Sequence, residues 1–441
     1  MKKPTLVRCV AIAAALLASA ASIAQQPTAD AQRTADAIAA EVAGIRGLPL
    51  RAVPVETQSP ERFGEYVRGR IDEAVPPSLS GHYDAIVRTL GLYRGPRIDD
   101  FPTLMSSVMA SQAGAYYDPK AKRFYMLMTR MPELMQGVLY SHELYHALQD
   151  QHFDLTRYLE FDRSPRSLDS DQMLARQAVV EGEATYVMTL WTLQRTMGAI
   201  PPREMLAQVI GLQSSMSLEQ MRAMIEQPQV AEQVGEDLRD AMKAAQSIPP
   251  FLLDEMIGAY MKGMGFVFAI QGRGWPEVEK LYASRPVRST EQILHPEKWT
   301  AGDDPVAFDW PDLASVPELA AWELLDSDVL GEFRWRTVFR ENGAADVAEA
   351  AAAGWDGDRY AVFKRKGSDA MLLLWRTAWD TPADAAEFAA AYRRVLASKY
   401  EGKAPPARVV QEGADVLIVE GGTAAGLDAL VSVVRKARKR P

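Results

Sequence analysis

Cysteine is nearly missing from this chain: 441 residues contain one, Cys9. It lies in an N-terminal stretch that reads as a signal peptide, so the mature chain is expected to carry no thiol. That excludes cysteine nucleophiles, thiolate metal sites and disulfides, and it leaves imidazole and carboxylate as the available metal ligands. Histidine is scarce too, limited to His82, His142, His146, His152 and His295. There is no excess of positive charge, with 49 Lys and Arg against 58 Asp and Glu and a formal net charge of −9. An acidic chain of this kind is not expected to bind nucleic acid, which demands cations for its phosphates.

What is present reads as a large globular protein, 48% apolar and 24% charged, long enough for two or three domains. Residues 1–24 have the parts of a signal peptide. Lys2, Lys3 and Arg8 form a basic start, residues 10–21 an Ala-rich apolar run, and Ser22-Ile23-Ala24 a small-residue cleavage site before Gln25. The apolar run is short for a bilayer, so no membrane span is expected after cleavage. The expected location is periplasmic or secreted. Losing three cations takes the net charge from −9 to −12.

The chemistry concentrates at Ser141-His142-Glu143-Leu144-Tyr145-His146. Helical spacing is expected over residues 132–155, which lack an internal proline. On a helix, positions i and i+4 share a face, so His142 and His146 can converge on one metal ion. Glu143 sits one step round from His142, within reach of a water held there. This is the HExxH arrangement of zinc-dependent hydrolases. Burying two imidazoles and a carboxylate without partners would cost several kcal/mol, and zinc is the expected partner.

Around the motif the chain divides as follows. Residues 25–59 are polar and Ala-rich with Pro49 and Pro54, and are expected to be a mobile lead-in. Residues 60–304 form the main, mostly helical domain. In it, Ala115-Tyr116-Tyr117 and the run 123–128 flank a turn at residues 118–122, a β-hairpin leading into the motif helix. A second long helix is expected from an Asp169 or Ser170 cap to about Met197, carrying Val180-Glu181-Gly182-Glu183-Ala184. Gly182 weakens a helix by roughly 1 kcal/mol, which points to close approach of another element. Glu181 and Glu183 are separated by some 200° around the helix, so a regular helix can offer one of them to the metal and not both. A linker is expected at 305–317, followed by an accessory α+β domain over 318–441 with no titratable constellation. That domain is expected to shield the cleft or to bind a partner. The basic tail at 435–440 reads as a solvated helix end. The fold class is therefore α+β.

Together these residues resemble the gluzincin class of zinc metallopeptidases, in which HExxH is followed by a glutamate from a downstream helix. They are nearest to exported bacterial proteins pairing a His-Glu-x-x-His-Ala-Leu-Gln-Asp-Gln helix with a Val-Glu-Gly-Glu/Asp-Ala segment. The likeness runs from about Ala115 to Tyr186, is fainter to Trp299, and says little about the last hundred residues. It implies a zincin-like main domain, zinc held by His142, His146 and Glu181, and a peptide or protein substrate. Three protein ligands leave one tetrahedral position for water, the mark of a catalytic site. Glu143 is then the general base. The resemblance also implies a downstream histidine and tyrosine steadying the oxyanion. His295, at the end of a short helix before Pro296, is the candidate, and Tyr260 the weaker one.

The chain departs from that pattern in two ways. Glu181 follows His146 by 35 residues, longer than in thermolysin-like members, and Thr185 stands where an aspartate would orient a ligand histidine. Asp150 is the expected substitute orienter. Two other readings stay open on the sequence: a non-catalytic binding or assembly protein with a structural or vestigial zinc site, and an amide hydrolase acting on cell-wall material.

Overall fold

The computed structural model describes residues 29–74, 77–112, 114–127, 133–160, 167–215, 248–400 and 405–440. The signal-peptide segment 1–24, Met128, Pro132 and the loop expected at 163–166 lie outside the described residues. The fold is mixed α+β, with most helices before the long antiparallel sheet.

Helix α1 (Ala29–Arg46) comes first, then strand β1 (Val55–Gln58), helix α2 (Pro60–Ala74) and helix α3 (Phe101–Gln112). The hairpin follows as β2 (Ala115–Asp118) and β3 (Arg123–Leu127), antiparallel with Tyr116 opposite Tyr125. Its turn is built by Asp118, whose carboxylate accepts the Lys120 and Ala121 N–H groups at 2.8 and 3.0 Å. Such an Asx turn is what an aspartate at a chain reversal provides. β1 joins the other side of β3 in parallel, giving the order β1-β3-β2.

Next come helix α4 (Glu133–Phe153), helix α5 (Ser170–Met197) and helix α6 (Pro250–Gln271). α4 ends at Asp154, whose backbone turns left-handed at φ 50°. α5 has both ends marked in the sequence. A reciprocal Asp169–Gln172 capping box opens it, and Gly198 at φ 80° closes it. α5 and α6 cross where both present glycine. A Cβ on Gly182 would meet the Gly263 carbonyl carbon at 2.1 Å, and one on Gly263 would meet the Ala178 oxygen at 1.9 Å. Backbone contact this close admits no side chain.

After the short helix α7 (Thr290–Leu294), β4 (Ala307–Asp309) and β5 (Trp322–Asp326) lead to helix α8 (Glu332–Glu341). A five-stranded antiparallel sheet follows, ordered β5-β6-β7-β9-β8, with β6 (Trp355–Arg365), β7 (Met371–Trp379), β8 (Ala407–Glu412) and β9 (Asp415–Glu420). Helix α9 (Pro382–Lys399) packs Phe388, Ala389 and Tyr392 against one side, and helix α10 (Leu427–Arg435) packs Leu427, Leu430 and Val434 against the other.

Four expectations are corrected. The lead-in at 25–59 is not mobile where it is described. α1 buries Ala35, Ile38 and Val42 against Tyr145, Leu148 and Val187, and β1 completes the first sheet. An Ala-rich sequence carries little local signal until its apolar face has a partner, and that partner lies about a hundred residues on. The stretch 305–317 is not a free linker, because β4 pairs with a last strand, β10 (Arg438–Arg440). That strand also corrects the basic tail. Arg440 sits 2.8 Å from Asp309 and Lys439 2.6 Å from Asp415, so these cations are paired rather than merely solvated. Finally, one apolar core runs from Phe63, Ile86 and Phe101 through Phe251 into Trp335, Trp375 and Phe388, crossing the expected boundary between domains. Among the described residues, no helix is long and apolar enough to cross a membrane.

Candidate metal centre

α4 holds His142 and His146 one turn apart, with ring centroids separated by 4.6 Å and planes nearly perpendicular. The crossing of α5 over α4 carries Glu181 to both. His142 Nε2 is 3.2 Å and His146 Nε2 3.3 Å from the same oxygen, Glu181 Oε2, and the two nitrogens are 3.1 Å apart. Four donors at 2.0–2.1 Å from a tetrahedral zinc must stand about 3.3 Å from one another. The observed triangle has that size to within about 0.2 Å, and its two imidazoles and one carboxylate are a zinc donor set. All three side chains are buried or nearly so, His146 being the most open at 12%.

The members of the cluster act on one another electrostatically. Burial opposes charge on Glu181, but the neighbouring imidazoles outweigh it and hold the carboxyl well below its usual range. Burial likewise lowers the affinity of His146 for a proton, yet the Glu181 charge and hydrogen bond raise it overall, to about 9. Glu143 is raised, chiefly by burial and secondarily by the Glu181 charge, against the pull of both histidines. Its Oε2 accepts the Tyr117 N–H at 3.0 Å, which ties the carboxylate to strand β2.

Glu183 takes no part in the triangle. It is fully buried, accepting from Arg46 Nε at 3.0 Å, from the Tyr282 hydroxyl at 2.6 Å and from Gln149 Nε2 at 3.1 Å. Asp150 is not the orienter of His146. Its carboxylate instead accepts from Tyr117 OH at 2.8 Å, Lys122 Nζ at 2.7 Å and Leu155 N at 3.2 Å, fastening α4 to the hairpin. The orienter is Gln149, whose Oε1 lies 2.8 Å from His146 Nδ1. A residue three positions after His146 shares its helix face, so this contact was visible in the spacing. Arg46, brought from 137 residues away, left no such signal.

His295 is not brought into the cluster. Its Nε2 pairs with the buried Glu332 carboxylate of α8 at 3.0 Å. Its helix α7 begins at Thr290, which hydrogen-bonds Asp171. Asp171 stands ten residues before Glu181, about 15 Å along α5 at 1.5 Å per residue. Tyr260 of α6 occupies the neighbourhood instead. Its ring stacks on His142 at 5.4 Å and 19°. Its phenol is held protonated first by burial and then by the Glu181 and Glu143 charges. Pre-positioned, it is a donor.

Among known families, a domain of unknown function (DUF8575) matches residues 322–431. That span covers the five-stranded sheet with helices α8 and α9 and includes no member of the His–Glu cluster. No curated protein and no solved structure matches the chain.

Proposed function

We propose that this protein is an exported zinc-dependent hydrolase of peptide bonds, gluzincin-like in its ligands and general base. The observation that carries the reading is the triangle of His142 Nε2, His146 Nε2 and Glu181 Oε2, with edges of 3.1–3.3 Å. Zinc bound there would supply a Lewis acid and lower the pKa of a water from 15.7 to about 7. His142, His146 and Glu181 hold it. Glu143, next to His142 on α4 and anchored by the Tyr117 N–H, takes the proton of the attacking water and delivers it to the leaving amine nitrogen. Tyr260 replaces His295 as the donor for the developing oxyanion. The zincin-like domain expected over 60–304 then takes in α1 and β1 as well.

Two measurements test the proposal. Metal analysis of the purified mature protein should find one zinc per chain, and His146→Ala should find none. Equal metal in the two would remove the site. Glu143→Gln should retain zinc while peptide hydrolysis falls by about 10²–10⁴-fold. Undiminished cleavage in that variant would favour a binding or assembly role with a structural zinc.

A further inference from the structure

Behind His146 lies a chain of buried polar contacts that the proposed reaction does not use. Gln149 sits in the middle of it. Its Oε1 is 2.8 Å from His146 Nδ1, while its Nε2 donates to Val180 O at 3.0 Å and Glu183 Oε2 at 3.1 Å, and reaches Tyr282 OH at 2.8 Å. Tyr282 in turn donates to Glu183 at 2.6 Å, and Glu183 Oε1 accepts from Arg46 Nε at 3.0 Å. Arg46 is 2% exposed, bonds Tyr145 OH at 3.1 Å and lies 4.3 Å from the centre of the Trp275 ring.

This network can be read in one direction only. Turning the Gln149 amide over would press its oxygen against the Val180 carbonyl and the Glu183 carboxylate, and its NH₂ against the imidazole. A carboxylate in the same place would accept from His146 whichever way it turned, but an amide has a wrong way round. With the donor end committed to α5, the oxygen faces His146, so Nδ1 is the nitrogen that donates to Gln149 and Nε2 is the one turned toward His142 and Glu181, where a metal would take it. The Glu183 charge that commits the amide is itself buried, and it is compensated by a cation from α1.

We propose that Gln149, Glu183 and Arg46 form a brace that fixes the tautomer and orientation of His146 for the metal, which makes α1 a working part of the metal centre. The inference rests on the metal-binding reading above. These are positioning residues: none touches the reacting atoms.

The test is zinc affinity of the full mature chain by chelator competition, with the visible spectrum of the cobalt(II)-loaded protein as a report on ligand geometry. Gln149→Leu should bind zinc about 10–100-fold more weakly and shift the cobalt bands. Gln149→Glu keeps an acceptor for His146 but sets a second carboxylate against Glu183, so it should also be weakened. Combining Gln149→Glu with Glu183→Gln restores one donor and one acceptor and should recover most of the affinity. Arg46→Met should weaken zinc about tenfold. Lys399→Met, which breaks the equally buried pair with Glu420 in the C-terminal sheet, should leave zinc binding unchanged. Wild-type zinc affinity in Gln149→Leu, or a double variant no better than Gln149→Glu, would overturn the brace and leave the metal centre standing. A wild-type protein that takes up no zinc would overturn both.

Discussion

Tyr260 and His295 competed for one role, and their surroundings separate them. Tyr260 packs flat on a ligand imidazole and keeps its proton, so a hydroxyl stands ready beside the cluster. Tyr260→Phe preserves the stacking and removes the donor. Its zinc content should be that of wild type, with kcat reduced about 10²–10³-fold, measured by steady-state peptide hydrolysis. His295 is engaged in structure instead. Its hydrogen bond to Glu332 raises its proton affinity above the ordinary imidazole value, against the opposing effect of burial. A folded pKa above the unfolded one stabilises most below the unfolded value, about 6.5. That contribution is lost as pH rises through the folded pKa. His295→Gln should therefore leave hydrolysis intact and narrow the stability gap to wild type as pH is raised above about 6.5. Urea unfolding midpoints across pH would check this, and a gap independent of pH would refute it.

The crossing of α5 and α6 is what aims Glu181. With glycine on both sides, the helix backbones touch, and Glu181 and Tyr260 are delivered from adjacent helices to the same imidazoles. Gly182→Ala would place a methyl 2.1 Å from the Gly263 backbone, where no flexible side chain can yield. The expected loss is at the upper end of the about 1–3 kcal/mol typical of overpacking, read from denaturant unfolding, together with reduced zinc content as Glu181 is displaced. α4 carries a different lesson. Its spacing put two histidines on one face, and the same face supplied the residue that orients the second of them, Gln149.

Across the whole molecule, the helical part and the five-stranded sheet share one core, and a buried ion pair crosses between them. Arg334 of α8 meets Glu255 of α6 through two contacts of 2.7 and 2.9 Å, both side chains being no more than 4% exposed. Arg334→Met would strand Glu255 as an unpaired buried charge, at a cost of about 3–5 kcal/mol. Because the core is continuous, heat should unfold the protein in one transition, with tryptophan fluorescence and far-ultraviolet circular dichroism superimposing. Two separated transitions would mean that the sheet folds apart from the metal centre. The DUF8575 match at residues 322–431 thus covers a unit bonded into the rest rather than tethered to it.

The amino-acid order by itself determined what depends on near neighbours. That includes the paired histidines on one helix face, the Asp169 cap and Gly198 stop of α5, the Asp118 turn, and most of the C-terminal strands. Each rests on spacing or backbone preference within a few residues. The choice of Glu181 over Glu183 came from resemblance to gluzincins, since the helical period alone only declared them mutually exclusive. Tertiary structure decided where each went, setting Glu181 beside the imidazoles and Glu183 against Arg46. It also drew α1 out of an apparent lead-in, moved His295 away, and merged two expected domains through a common core. These outcomes turn on contacts between residues far apart in the chain, 37 positions for His295 and Glu332 and 137 for Arg46 and Glu183, whose energies exist only once the backbone has brought them within a few ångströms.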